Sequence, residues 1–133
     1  MSPHTTVPDV APYNKNEEEE KKIILQEYRA LLRSLKESIK KGDKALLRRA
    51  FEMSVEAHKD MRRKSGEPYI LHPLAVARIV VEEIGLGVTS AICALLHDTV
   101  EDTEITLEDV EREFSGHIAK IIDGLTKISN VVD

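Results

Sequence analysis

Residues 91–102 of this 133-residue chain read AICALLHDTVED, and this stretch decides which fold the sequence predicts. Its first part, AICALL, consists only of small or aliphatic residues, so a helix built from it is apolar almost all round and is expected to be buried. The apolar run ends abruptly at His97 and Asp98. The sequence therefore predicts a central helix whose last turn carries polar side chains out of the core.

The flanking sequence predicts further helices on both sides of this central one. Before it, apolar residues recur at helical spacing in segments that start near Glu17, Asp43 and Pro73. After it, Thr106 and Asp109 form a capping-box pattern that starts a short helix, and a last apolar stripe follows. No segment alternates polar and apolar residues as a half-buried strand does. We therefore predict an all-α fold, a helical bundle of about six helices.

Two boundaries are predicted from residues that end or start helices. Gly42 is expected to end the first helix, because glycine commonly ends helices in a left-handed conformation. Asp43 is expected to cap the second helix, which should run to about Met61. Residues 1–16 are rich in proline, serine, threonine and asparagine and lack an apolar period, so we predict a disordered N-terminal arm there.

Composition limits the classes of protein that fit. Hydrophobic residues make up 41% of the chain but aromatic residues only 4%, so the core should be aliphatic, which suits packed helices. A net charge of -5 argues against a nucleic-acid partner. No segment approaches the length of a membrane span, and the N-terminus lacks the apolar region of a secretory signal. A cytoplasmic protein without membrane association is the expectation.

The segment HDTVED, residues 97–102, is where we expect chemistry. His97 and Asp98 follow the buried run directly and are costly to bury unless something pairs with them, and a divalent metal ion can do so. Glu101 and Asp102 each follow one of this pair by four positions, so a continuing helix stacks them one turn further along. His72, at the start of the preceding helix, is the third candidate ligand. A metal there could generate hydroxide that Glu101 or Asp102 helps to position.

A basic loop precedes His72 in the chain. Arg62, Arg63 and Lys64 supply positive charge opposite the acidic cluster, and arginine can stack on a base while lysine neutralises phosphate. A phosphorylated nucleotide satisfies both. Each feature also has an ordinary structural interpretation, since His-Asp pairs are common and basic triplets usually lie in solvated loops. His58 lies on an apolar stripe and is interpreted as a hydrogen-bonded core histidine.

Three segments together carry a family resemblance. RKSGEPYILHP at 63–73, ALLHDTVEDT at 94–103 and DGLTK at 123–127 occur in this order. In this combination the chain resembles the hydrolase domain of the RelA/SpoT family, within the wider HD phosphohydrolase superfamily. The resemblance runs from about Leu46 to Ser129. It implies that residues 17–133 form the N-terminal part of an HD-type hydrolase domain.

The resemblance implies a reaction and roles for individual residues. The family's hydrolases remove pyrophosphate from the 3′ position of the alarmones ppGpp and pppGpp, typically with manganese, and leave GDP or GTP. By residue match, the implied metal ligands are His72, His97 and Asp98. Glu101 and Asp102 match the acidic pair that activates the attacking water. The implied guanine contacts are Arg63, Lys64 and Ser65.

One departure from the family pattern concerns the metal site. The family uses a further aspartate from a later helix, within a stretch like LADRLHNMRT, and Asp123 does not match it. We therefore expect this chain to be the C-terminally incomplete domain of a longer, bifunctional synthetase and hydrolase, inactive or weak by itself. The apolar stripe of the last helix is expected to be uncovered, which predicts self-association.

Two alternatives remain open at this point. The HDTVED segment is equally compatible with another HD-superfamily enzyme acting on a different nucleotide or phosphate ester. A non-catalytic helical fragment that retains the motif is the second alternative.

Overall fold

The computed structural model describes residues 12–132 of the chain, with side chains to residue 128. Within this part six helices follow one another: α1 (Glu17–Leu35), α2 (Asp43–Ala57), α3 (Leu71–Glu82), α4 (Val88–Asp102), α5 (Leu107–Glu113) and α6 (Gly116–Val132). The described residues contain no strand, only an isolated bridge between Arg62 and Pro68. The prediction of an all-α fold with about six helices is confirmed.

The predicted N-terminal arm falls largely outside this part. Residues 1–11 lie outside the described residues, and residues 12–16 form neither helix nor strand. Asn16 then caps α1: its side chain accepts a hydrogen bond from the Glu19 amide at 2.9 Å, and the Glu19 carboxylate accepts one from the Asn16 amide at 3.1 Å. This reciprocal capping box explains why α1 begins at Glu17.

The first two helices end earlier than the sequence predicts. The chain leaves α1 at Leu35 and passes through turns before Gly42, whose φ of 88° is left-handed. Asp43 does not cap α2 as predicted: it is the first helical residue, and its carboxylate accepts a hydrogen bond from the Lys40 amide at 2.8 Å. That bond stabilises the turn in place of a continued helix. Helix α2 ends at Ala57 rather than near Met61.

Helix α4 is the central helix, as its composition predicts. It packs against α2, α3 and α6, while α1 packs on α3 and α5 on α6. Leu95 and Leu96 are fully buried, and Ala91, Ile92 and Cys93 are nearly so. Burial also raises the pKa of the Cys93 thiol to about 11, which agrees with an inert structural cysteine. The described helices include none that is both long and apolar enough to cross a bilayer.

Removing a buried side chain from α4 should destabilise the protein far more than removing an exposed one of similar size. Leu95 is fully buried, whereas Ile79 on α3 is 52% exposed. Leu95→Ala should lower the free energy of unfolding by about 3 kcal/mol, because the cavity it leaves collapses only partly. Ile79→Ala, the control, should cost less than about 1 kcal/mol. Urea denaturation measures both, and equal losses would contradict this packing.

Candidate functional site

The last turn of α4 gathers three potential metal ligands. His97, Asp98 and Glu101 each offer a nitrogen or oxygen atom, and these atoms all lie within 4.8 Å of one another. His97 Nδ1 is 3.5 Å from Asp98 Oδ1, and His97 Nε2 is 2.8 Å from Glu101 Oε2. The helical spacing accounts for the approach of Glu101 to His97, since residues four apart stack on one face.

His97 Nε2 is a buried nitrogen that the protein does not satisfy. Although Glu101 Oε2 lies close by, the geometry is not that of a hydrogen bond, and Nε2 has no hydrogen-bond partner among the described residues. A buried polar atom without a partner is costly. With imidazole and carboxylate donors converging on it, the location fits a divalent cation of the kind that takes mixed nitrogen and oxygen ligands.

His72 lies on the opposite side of Asp98. It is the second residue of α3, and its Nε2 is 3.7 Å from Asp98 Oδ2. The two carboxylate oxygens of Asp98 therefore face different histidines, both beyond normal hydrogen-bond length. His72 is not a member of the compact cluster of His97, Asp98 and Glu101. The structure thus brings His72 beside the pair from α4 without placing it in that tightest group.

The basic residues lie on a turn in front of α3. Arg62 and Pro68 form its base, the Arg63 amide donates to the Glu67 carbonyl at 2.9 Å, and the Gly66 amide donates to the Arg63 carbonyl at 2.8 Å. Three residues, Arg63, Lys64 and Ser65, are exposed on this turn. The Ser65 hydroxyl donates to the Glu67 carboxylate at 2.8 Å. The predicted base-binding residues therefore share one ordered turn.

Tyr69 connects this turn to the acidic cluster, and the sequence reasoning missed it. Its hydroxyl donates to Asp98 Oδ2 at 3.2 Å. The edge of its ring meets His72, with centroids 5.7 Å apart, and the Arg63 guanidinium lies 5.9 Å from the ring centroid. The sequence did contain a signal for this role of Tyr69. Tyr69 lies three positions before His72, which lies at the start of a helix, so its side chain can reach the same end of that helix.

Burial raises the pKa of Tyr69 to about 12, with further contributions from the negative charges of Asp98 and Asp102. The nearby positive charge of Arg63 opposes this shift. The hydroxyl therefore stays protonated and keeps donating to Asp98 throughout the physiological range. Asp102 is exposed at the last position of α4. Its negative charge adds to the rise in the pKa of Tyr69, but Asp102 is not a member of the compact cluster of potential ligands.

His58 is a core histidine, as interpreted from the sequence. It is 1% exposed and caps the end of α2. Its Nδ1 lies 2.9 Å from the Ser54 carbonyl oxygen, and its ring is tilted against that of Tyr69 with centroids 4.9 Å apart. His58 therefore supports Tyr69 from behind and does not join the cluster of potential ligands.

An apolar groove of about 530 Å³ opens beside the site. His72, His97 and Asp98 line one part of it, and mainly apolar residues of α3, α4, α6 and the loop between α3 and α4 line the rest. Leu125 and Ile128 of α6 are exposed along it. A concave apolar surface with a few convergent polar groups is typical of a ligand site. Of the predicted α6 stripe only this end is uncovered, because Ile118 and Ile122 are buried in the core, and the self-association inferred from the stripe stays a prediction.

Replacing Tyr69 by phenylalanine should change how stability depends on alkaline pH. Above the ordinary pKa of 10.0 the unfolded tyrosine loses its proton, whereas the folded one keeps it to about 12. Stability is therefore lost as pH rises through this window. The decline between pH 9 and pH 11 in urea denaturation should be shallower in Tyr69→Phe, though not abolished, because burial also raises the pKa of Tyr28. An unchanged slope would show that the hydroxyl is not held as described.

The chain is similar in sequence to a protein family and to several known proteins. A family model described as the HD domain matches residues 50–133. The chain is 46% identical over 97 residues to a probable GTP pyrophosphokinase of Mycobacterium leprae, a match that covers 73% of this chain and 12% of the relative.

Two further relatives carry the name guanosine-3′,5′-bis(diphosphate) 3′-pyrophosphohydrolase. The protein of Aquifex aeolicus is 45% identical and that of Vibrio cholerae 41% identical, each over 85 residues, or 64% of this chain and 12% of the relative. The chain thus spans about an eighth of the length of the curated relatives it matches. These relatives confirm the resemblance to the RelA/SpoT family, and the match over residues 50–133 shows that the chain belongs to the HD-domain family.

Proposed function

We propose that this chain provides the catalytic turn and nucleotide-binding loop of a hydrolase that removes the 3′-pyrophosphate of ppGpp and pppGpp. The products are GDP or GTP and pyrophosphate. One observation carries the proposal: Tyr69 joins the acidic end of α4 to the turn that bears Arg63. The candidate metal site and the basic loop are thereby held together, and two relatives named for this reaction are 45% and 41% identical to the chain over 85 residues.

The proposed metal ligands are His72, His97 and Asp98, with manganese as the proposed ion. The unsatisfied His97 Nε2 and the two oxygens of Asp98, each facing a histidine, support this set. When bound, a divalent ion would supply Lewis acidity, which makes water a better nucleophile near neutral pH and draws charge from a phosphoryl oxygen. Tyr69 holds Asp98 in orientation by donating to Oδ2.

Glu101 and Asp102 are the proposed acid-base pair. Glu101 Oε2 lies beside His97 Nε2, so its carboxylate can accept a proton from a water held there. In the proposed step the water oxygen forms a bond to the phosphorus that is attached to the 3′ oxygen. The bond between this phosphorus and the 3′ oxygen breaks. The proton removed from the water passes to the departing 3′ oxygen. Pyrophosphate and a free 3′ hydroxyl result.

The turn of Arg63, Lys64 and Ser65 is proposed to hold the guanine base. All three residues are exposed. The Arg63 guanidinium lies near the Tyr69 ring, and because Arg63 is exposed, this planar group is also accessible for stacking on a base. Lys64 adds positive charge for the phosphates of the nucleotide. In this proposal the acidic end of α4 carries the catalytic residues, and the basic turn recognises the nucleotide.

The whole protein is proposed to be a longer, cytoplasmic enzyme that both makes and hydrolyses these alarmones. The relatives support this proposal, because the match to this chain covers only about an eighth of their own length. A further metal-binding aspartate is proposed to come from a later helix, as in the RelA/SpoT pattern. We therefore propose that residues 1–133 alone are inactive or weak.

The reaction and the role of the turn can be tested together in the full-length protein. With Mn²⁺, ppGpp labelled in its 3′-pyrophosphate should release labelled pyrophosphate and GDP. Arg63→Ala should raise the KM by about fivefold, the loss expected for a cation stacked on a ring at an exposed site. The control Arg29→Ala, an exposed arginine of α1, should leave the KM unchanged.

Two results would contradict the proposal in different ways. Absence of pyrophosphate release by the full-length enzyme would reject alarmone hydrolysis and favour a non-catalytic fragment. Release with a KM that Arg63→Ala does not alter would reject the base-binding role of the turn.

A further inference from the structure

Glu20 is a buried charged residue in the first turn of α1. It is 7% exposed, whereas the neighbouring Glu17, Glu18 and Glu19 are exposed. A buried carboxylate needs a charged or hydrogen-bonding partner. Two nitrogens of Arg62 provide one, at 2.5 Å and 3.1 Å from the two carboxylate oxygens. Glu20 therefore makes a bidentate ion pair with the first residue of the basic triplet.

Arg62 also reaches across its own turn. The same Nη1 that contacts Glu20 donates to the Gly66 carbonyl at 3.1 Å. The turn between them contains Arg63, Lys64 and Ser65, so the guanidinium ties both of its ends to α1. Its fork of donors makes this geometry possible, since lysine has only a single ammonium group to offer.

Tyr13, from the segment before α1, adds a second tie. Its hydroxyl donates to the Glu20 carboxylate. Its ring lies directly over Gly66: a Cβ added there would be 3.0 Å from Tyr13 Cβ and 3.2 Å from Cγ. Gly66 also has a φ of 102°, which side chains rarely adopt. The turn is thus shaped to receive the tyrosine.

Helix α1 is a firm support for these ties. Leu31 and Leu35 are fully buried, and Tyr28 stacks on Phe51 of α2 with ring centroids 4.1 Å apart. Glu27 is paired with Arg78 of α3 at 2.9 Å. Anchoring the turn to α1 therefore anchors it to the core of the protein.

The three consecutive basic residues have different surroundings. Arg62 is engaged with Glu20, and this hydrogen-bonded pairing holds the pKa of Glu20 below its usual range, so the carboxylate is charged at neutral pH. Arg63 and Lys64 lie exposed on the turn that Arg62 spans. Arg62 thus has a structural contact, whereas Arg63 and Lys64 remain accessible to a ligand.

We propose that Glu20 and Tyr13, acting through Arg62, are positioning residues that hold the turn in the shape in which Arg63, Lys64 and Ser65 meet the nucleotide. We call this set of Tyr13, Glu20, Arg62 and Gly66 the α1 clamp. The proposal rests on the proposed function of the turn. Tyr13 and Glu20 lie outside the part of the chain that matches the HD-domain family, residues 50–133.

Charge and positioning make opposite predictions for Glu20→Gln. Removing a negative charge near a site for an anionic nucleotide should tighten binding if only Coulomb attraction matters. Loss of the α1 clamp should weaken binding, because ordering the turn then costs conformational entropy at the moment of binding. The sign of the change therefore separates the two effects.

The experiment combines amide hydrogen exchange with binding in the full-length protein. Without nucleotide, the Arg63 and Gly66 amides should exchange about tenfold faster in Glu20→Gln, because the turn opens more often. The Kd for GDP and the KM for ppGpp should rise by about fivefold to tenfold, as expected for the net loss of one ordinary hydrogen bond. The kcat at saturation should stay within about twofold, whereas a loss of folded protein would lower it.

Two further variants and a control make the result specific. Tyr13→Phe removes only a hydroxyl, and Arg62→Lys keeps the positive charge but removes the forked guanidinium, so both variants should fold. Each should speed amide exchange and raise the Kd, as Glu20→Gln does. Glu52→Gln removes the partner of Arg48 in an exposed ion pair on α2 and should change neither.

Unchanged exchange at Arg63 and Gly66 in Glu20→Gln would overturn the α1 clamp, as would faster exchange with equal or tighter GDP binding. If the unsubstituted protein did not bind GDP at all, the proposed function of the turn would fail. The exchange data would still decide whether the α1 clamp orders the turn.

Discussion

Burial of helix α4 is the constraint on which the rest of this structure depends. Leu95 and Leu96 are fully buried between α2, α3 and α6, so the helix can neither slide nor rotate without exposing aliphatic surface. Its next residues, His97 and Asp98, are therefore delivered to a fixed place at the edge of the core. The position of the candidate metal site is thus a consequence of packing, and the loops need only bring partners to it.

Two partners arrive by different routes, and Tyr69 links them. The start of α3 brings His72 to one oxygen of Asp98, while the Tyr69 hydroxyl donates to the same oxygen. From Tyr69 the chain of contacts continues through Arg63 to the turn that the α1 clamp holds. The candidate metal site and the basic turn are consequently connected by one continuous set of side-chain contacts, in which the turn is bonded to α1 and the acids are carried by α4.

Local patterns predicted the elements, and contacts distant in sequence were beyond them. The apolar run of α4 and the capping box of Thr106 and Asp109 are local signals, and the structure confirms both. The turn that leads from Lys40 into α2 is stabilised by the Asp43 side chain, a detail that helical spacing alone cannot resolve. Glu20 resembles any acidic residue at a helix N-terminus, since its partner Arg62 lies 42 positions away.

The same limit applies within the candidate site. The spacing of His97 and Glu101 predicted their proximity, because the helix period determines it. The approach of Tyr69 to Asp98, 29 positions apart, depends on how α3 packs on α4. Which residues bind a metal stays a prediction, since the compact cluster contains Glu101 and places His72 just outside it.

Metal-dependent stabilisation tests the central claim most directly, namely that His97 and Asp98 form a cation site. Thermal and urea unfolding of the full-length protein would be followed with and without MnCl₂, for the unsubstituted protein, His97→Ala and His117→Ala, an exposed histidine of α6. The unsubstituted protein and His117→Ala should gain about 2.7 kcal/mol at a hundredfold excess over Kd, and His97→Ala should gain almost nothing. Equal stabilisation of all three, or of none, would contradict a metal site at the end of α4.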